Sequence, residues 1–458
     1  MRHDKLRQTA PLSLAAIALL TLLVPAFAAG CGGTGLEADP TDLEPPQVPG
    51  KADEAYAVEG ARAWYLIGDA LTPGDDAVEL TIVPAEGTRF IDAWLDREYK
   101  GRSRPVDGRI GITLDIEGLS PGSHEVLLGA NEQTPAFAQL VFVRSHPIYV
   151  FVTNDWDDPD NPDDTLARQE RLHANHASLR ITHFVGPYTF TDPSVTTERA
   201  AQLADWVKGL RDAYGDEIGL HIHPYCSFVS SAGVSCRTSP SFAYAGGDTT
   251  GYTVYLSSYT KEEMAQLLVR ADEIFDAAGL GKPTSFRAGG WTAAVPTLEA
   301  LAGNGFVADS SACNWRRLEE WEGAWGADLY PWNKEHWATI DERSQPYYPS
   351  VSDILSDDPP VVSLLEVPDN GILVDYVTSD EMIEMFHANW PEGSALDKPT
   401  AYVTGYHPPN FSEAFFARVD TELETIDRFL YASDTGPAIY ATLSEAAVVW
   451  PLPGTETP

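Results

Sequence analysis

Ile218-Gly219-Leu220-His221-Ile222-His223-Pro224 is the stretch whose pattern decides the fold and points to a chemistry. Apolar Ile218, Leu220 and Ile222 alternate with Gly219, His221 and His223. A period of two is that of an extended strand, so the apolar residues share one face and both histidines share the other. Pro224 has no N–H for the ladder and ends the strand. Two neutral imidazoles side by side at a strand end are natural ligands for zinc or a similar divalent ion. A pair of packed or surface histidines gives the same pattern, so the neighbouring segments must decide.

From residue 147 onward, short apolar strands alternate with helical stretches. Ile148–Thr153, Arg180–Val185, Ile218–His223, Thr284–Arg287, Phe306–Asp309, Val361–Val367 and Ala401–Gly405 read as strands. Glu198–Ala213, Lys261–Ala278 and Val295–Asn304 read as helices. Thr260 is a suitable N-cap for the second helix, with Glu263 three residues on and Gly279 past its end. This alternation predicts a parallel α/β sheet or barrel. In such barrels reactive groups collect at the C-terminal ends of strands. Polar residues are found there: Asp155, Asp157 and Asp158 after the first strand, Arg287 followed by Gly289-Gly290-Trp291, Asp309, and Tyr406-His407. Taken singly, each has a plain alternative: a turn-forming acidic loop, a structural Arg–Asp bridge, a satisfied loop histidine.

In their order along the chain, these residues resemble the polysaccharide deacetylase family, carbohydrate esterase family 4, with its NodB-like fold. The resemblance covers residues 147–452 and implies a distorted (β/α) barrel of seven strands. It implies Asp155 as catalytic base and Asp157 as a metal ligand beside His221 and His223, with Asp158 as the alternative ligand. It implies Arg287, paired with Asp309, as the group that holds the catalytic residues, and His407 as the acid. Trp291 and Tyr406, with Trp315 and Trp332, would then stack on sugar rings, the alternative being core packing. The implied cofactor is one divalent ion, zinc, with cobalt or nickel as alternatives. The implied reaction removes acetyl groups from an N-acetylated or O-acetylated envelope or extracellular polysaccharide, cleaving a carbon–nitrogen bond in the first case. The pattern departs from the family in places. Trp156 splits the two aspartates, and the histidines are spaced i, i+2 rather than i, i+4. Segments 225–259 and 315–348 read as inserts of a subgroup. Two competing readings keep the barrel: a glycan-binding surface lipoprotein without turnover, and a different metal hydrolase acting on a peptide-like amide or a glycosidic bond, the latter with Glu366 and Asp155 as its candidate pair.

Composition sets the outer limits. The chain has 458 residues, 43% of them hydrophobic and 10% aromatic. That is enough to bury a core, which excludes a wholly disordered chain. A formal charge of −38 repels phosphate backbones and argues against nucleic acid as a partner. Arg2, Lys5 and Arg7 precede the apolar run 12–29, the pattern of a signal peptide over residues 1–30. Ala28-Ala29-Gly30-Cys31 resembles a bacterial lipobox, which makes Cys31 the lipidated residue of an exported lipoprotein at the outer membrane or cell surface. Plain secretion is the alternative. No later stretch has about 18 continuous apolar residues, so membrane contact is expected through the lipid alone. Residues 31–55 are rich in Gly, Pro and acids and read as a flexible tether. Residues 56–146 alternate in short runs broken by turn signals and read as a small all-β sandwich. Within it, Leu119–His124 resembles the turn before a late strand of immunoglobulin-like domains. Cys226 and Cys236 close a short loop and form the favoured disulfide, with Cys226–Cys313 as the rival. A monomer is expected.

Overall fold

A computed structural model describes residue 36 and residues 43–132, 135–321 and 329–454. Residues 1–30, expected to be a signal peptide, and Cys31, expected to carry lipid, lie outside the described residues. The first strands are β1 (Ala57–Glu59), β2 (Trp64–Leu66), β3 (Ala77–Val83), β4 (Ile91–Leu95), β5 (Glu98–Ser103), β6 (Ile110–Asp115), β7 (Gly122–Ala130) and β8 (Ala138–Ser145). They form an all-β unit of two sheets, ordered β1-β3-β6 and β2-β8-β7-β4-β5. Alternation builds its core: Val78, Leu80 and Ile82 of β3 and Ile110, Ile112 and Leu114 of β6 face Ile91, Val126 and Leu128 of the other sheet. The end of the expected tether is held rather than loose. Trp94 Nε1 donates to Leu43 O, Ala136 N to Gln47 O, and Asp53 N to Phe137 O. Residues 43–55 therefore lie along this unit because its edge offers them backbone partners.

The remaining strands are β9 (Ile148–Asp155), β10 (Ile181–Val185), β11 (Glu217–Ile222), β12 (Ser285–Ala288), β13 (Ala308–Asp309), β14 (Leu365–Glu366), β15 (Thr400–Tyr406) and β16 (Ala438–Tyr440). Every pairing among them is parallel, in the order β14-β13-β12-β11-β10-β9-β15. The sheet is curled and open, as in a distorted (β/α) barrel. Gly371 and Val374 donate to Val403 O and Gly405 O, so the chain after β14 leans across to β15. Seven strands follow this path, and β16 adds an eighth that pairs with the start of β9. The strand expected over Val361–Val367 shrinks to two residues, flanked by Pro359, Pro360 and Pro368, which give no N–H to a ladder.

Helices pack outside the sheet: α1 (Asp163–Asn175), α2 (Thr197–Tyr214), α3 (Cys226–Ser231), α4 (Lys261–Ala278), α5 (Val295–Asn304), α6 (Leu329–His336), α7 (Ser379–Asn389), α8 (Glu413–Asp427) and α9 (Ala446–Val449). Thr260 and Glu263 form the capping box of α4, and Gly279 ends it in the left-handed conformation. No helix among the described residues is long and apolar enough to cross a membrane. Cys226 and Cys236 are joined, and Cys313 is buried and unjoined.

The β unit is bolted to the barrel through polar and apolar contacts. Asp434 accepts from the N–H groups of Ala63 and Trp64, and Asp75 binds both Arg62 and the Tyr431 hydroxyl. Tyr149 of β9 donates to Asp69 at 2.9 Å. The Trp64 side chain enters the barrel core and meets Trp390 edge-on at 6.1 Å. Truncating it leaves a cavity across that joint. Trp64→Ala is expected to lower stability by about 3–5 kcal/mol in urea unfolding; a loss below about 1 kcal/mol would show that the joint carries little.

Candidate metal centre

Parallel pairing sets the C-terminal ends of β9, β11, β12 and β15 along one rim of the sheet, and the functional groups are built there. Asp155 closes β9, and Asp157 follows two residues on. Trp156 between them points the other way, is fully buried and packs near Trp206 of α2. The intervening tryptophan thus leaves both aspartates on the site side, as a period of two requires.

Asp157, His221 and His223 converge, each offering one ligand atom within 4.8 Å of the others. Asp157 Oδ1 lies 3.1 Å from His221 Nε2 and 3.3 Å from His223 Nε2. The other ring nitrogens face backbone carbonyls: His221 Nδ1 is 2.9 Å from Arg287 O, and His223 Nδ1 is 2.7 Å from Tyr252 O. A carbonyl only accepts, so each Nδ1 carries the hydrogen, which leaves Nε2 as the donor atom of a neutral imidazole. Two imidazole nitrogens and one carboxylate oxygen, with their outer atoms already bonded, are a donor set that fits a divalent ion. Asp157 Oδ2 accepts from the Tyr252 hydroxyl at 2.8 Å and lies 3.6 Å from His407 Nε2. Burial would lift the Asp157 carboxyl. Against that, the charge of His407 is the largest effect that holds it well below the usual carboxylate range.

His407 faces the three donors from the end of β15. Its Nδ1 is 2.9 Å from Asp375 Oδ2. Burial would lower the imidazole, but Asp157 and then Asp375 push it up to about 10, so it holds its proton at neutral pH. Asp155, Asp157, His223 and His407 line one pocket with Tyr244, Tyr252, Trp291 and Tyr376. Gly289 makes room for the His223 ring, since a Cβ there would stand 2.6 Å from it.

Arg287 of β12 is fully buried and spans the barrel interior. Nη1 donates to Thr153 Oγ1 at 2.9 Å and Asp155 Oδ1 at 3.0 Å, while Nε donates to Ser310 O at 2.9 Å. Asp369 Oδ2 lies 3.6 Å from Nη2 and also accepts from Trp291 Nε1 at 2.9 Å. The expected Arg287–Asp309 pair is therefore corrected: Asp309 accepts from Ser311 at 2.8 Å and shares a hydrogen bond with Glu366. Both carboxyls of that pair are fully buried, and two anions so close cannot coexist without water. Burial, reinforced by Asp309, pushes Glu366 well above the carboxylate range, so it is the protonated partner. This also removes Glu366 with Asp155 as a glycosidase pair, because Glu366 is committed to Asp309 and to the Ala312 N–H.

Two further expectations are corrected. Tyr406 does not face the pocket. Its hydroxyl accepts from Asn154 and its ring stacks on Phe411, because strand alternation turns it away when His407 faces in. Asp158 lies outside the cluster of three donors. Burial, then the charge of Asp157, raises its carboxyl. Trp291 does line the pocket, while Trp315 packs near Tyr330 and Trp332 of α6 stacks on Tyr255. Sequence reasoning missed Tyr252, Asp369 and Asp375. All three sit in irregular segments where no period marks them.

No family model matches the chain, and no curated protein matches it. Solved structures similar to it in fold include a candidate polysaccharide deacetylase from Mycobacterium smegmatis, at 17% identity and a TM-score of 0.39 over 68% of this chain and 94% of that one. A family 4 carbohydrate esterase from Streptomyces lividans is 14% identical, at a TM-score of 0.33 over 65% of this chain and 93% of that one. A candidate glycoside hydrolase/deacetylase from Parabacteroides distasonis is 13% identical, at 0.42 over 67% and 72%.

The interior charges yield a stability prediction. Removing the guanidinium leaves Asp155 and Asp369 buried beside each other without their cation. Arg287→Met is expected to cost about 3–5 kcal/mol in chemical denaturation. A variant as stable as the wild type would show that Arg287 is not the counter-charge of the barrel.

Proposed function

We propose that this protein is a metal-dependent hydrolase that removes acetyl groups from an acetylated polysaccharide, acting on the carbon–nitrogen bond of N-acetyl sugars. The observation that carries the reading is the convergence of Asp157, His221 and His223 on one point, with Asp155 and His407 lining the same pocket. Asp157, His221 and His223 would hold the ion. When bound, it supplies a Lewis acid that polarises a carbonyl and lowers the pKa of water. The pocket lined by Asp155, Asp157, His223 and His407 has a cavity volume of about 40 Å³, room for a few waters at roughly 10–15 Å³ each.

The side chains then divide the work. Asp155 takes the proton of the attacking water on its carboxylate, while Arg287 fixes the carboxylate in place. His407 carries a proton on Nε2 toward the departing nitrogen, with Nδ1–H held by Asp375. An O-acetyl substrate would use the same groups, with an alkoxide in place of the amine. Trp291 walls the pocket, where the acyl group would sit. We take the ion to be zinc, with cobalt or nickel able to replace it. We place the protein at the bacterial envelope as a monomeric lipoprotein anchored through Cys31 after removal of residues 1–30. The β unit of residues 56–146 would then stand between the anchor and the barrel of residues 147–452.

Metal analysis of the purified protein, paired with an acetate-release assay on N-acetylated oligosaccharides, tests the reading. About one equivalent of metal and release of acetate are expected, both abolished in the double variant His221→Ala/His223→Ala. Acetate release that persists in the double variant, or a wild type that takes up no metal on reconstitution, would contradict it.

A further inference from the structure

Tyr252 touches two of the three donors through three different atoms or groups. Its backbone carbonyl takes the His223 Nδ1 hydrogen at 2.7 Å. Its ring stacks on the His223 imidazole, with centroids 4.3 Å apart and planes 25° from parallel. Its hydroxyl donates to Asp157 Oδ2 at 2.8 Å.

Strand geometry makes such a residue necessary. Residues i and i+2 of a strand stand about 6.5–7 Å apart, so two histidines on one face reach a common point only when a ring leans inward. The His221 and His223 rings are 5.0 Å apart at 72°. His221 lies within β11 and finds its carbonyl on the paired strand β12. His223 lies one residue beyond β11 and just before Pro224, where no ladder partner remains. Tyr252 supplies the missing carbonyl and the wall.

Tyr252 is itself held in place by the chain around it. Cys226 N donates to Thr250 O at 2.7 Å, and the Cys226–Cys236 disulfide closes the start of the same segment. Asp248 accepts from the N–H groups of Thr250 and Thr253 at 2.7 and 2.8 Å, gripping the turn on both sides of Tyr252. Gly251 has a φ of +92°, and a Cβ there would stand 2.3 Å from Pro224 O. Glycine is thus required for the loop to come down onto the strand end.

We infer that Tyr252 is the positioning residue of the metal centre, and that segment 225–259 is a wall of the site rather than a surface addition. The hydroxyl occupies Asp157 Oδ2 and leaves Oδ1 to the ion, while the ring and carbonyl fix His223. Tyr252 thereby sets both the affinity for the ion and the symmetry of its donors. The inference rests on the reading of Asp157, His221 and His223 as ligands.

The test is a titration of the full-length protein with cobalt(II), followed by visible absorption, for the wild type and Tyr252→Phe. The phenylalanine variant keeps the ring and the carbonyl and loses one oxygen. The wild type is expected to bind one equivalent, and the variant to bind about tenfold or more weakly with an altered cobalt spectrum. An unchanged dissociation constant and spectrum would overturn the inference while leaving the ligand set intact. A wild type without cobalt binding would overturn the ligand set and this inference with it. Should circular dichroism show Tyr252→Phe unfolded, Gly251→Ala displaces Tyr252 through the backbone, and wild-type affinity in that variant would equally overturn the inference.

Discussion

Two imidazole lone pairs and a carboxylate oxygen face one another within hydrogen-bond distance at the end of the sheet, and that arrangement needs a positive charge among them. Both Nδ1 atoms are already spent on backbone carbonyls, so Nε2 is the acceptor in each neutral ring. A proton or a divalent ion satisfies the cluster; water alone does not. The rest of the barrel end is arranged around this demand. Against burial, the charge of His407 holds the Asp157 carboxyl well below the usual carboxylate range, and His407 keeps its proton because Asp157 and Asp375 flank it.

Below the pocket the same charge accounting continues in the interior. One guanidinium faces Asp155 and Asp369, and Asp309 leans on Glu366. Four carboxyl groups and one arginine would be an untenable burial if all were ionised. Burial lifts Asp369 to about 6 against the pull of Arg287, and the Asp309–Glu366 pair shares a proton. Arg287 donates to Asp155, so the residue proposed as base is tied to the barrel wall.

Much of this was legible in the sequence where periodicity carries information. Alternation in Ile218–His223 placed both histidines on one face, and the ends of α4 and α5 fall where caps and apolar spacing put them. The parallel barrel followed from alternating strands and helices. Long-range choices were not legible. Arg287 was matched with Asp309 because the two close successive strands, yet a long side chain inside a curled sheet reaches across to β9 instead. Tyr406 and His407 were both drawn to the site, although a strand can present only one of two adjacent residues to it. Tyr252 and Asp375 come from irregular segments whose path depends on a disulfide, a positive-φ glycine and contacts made only after folding. The short β14 shows the same limit, since prolines on either side of it give no N–H to a ladder.

The central claim is that Asp157, His221 and His223 bind one metal ion through Oδ1 and the two Nε2 atoms. Anomalous X-ray diffraction at the zinc edge, from crystals grown with zinc, tests it most directly. The account predicts a single strong peak about 2.0–2.2 Å from these three atoms. A zinc-saturated crystal with no peak there, or with the ion held by Asp158 and only one histidine, would contradict it.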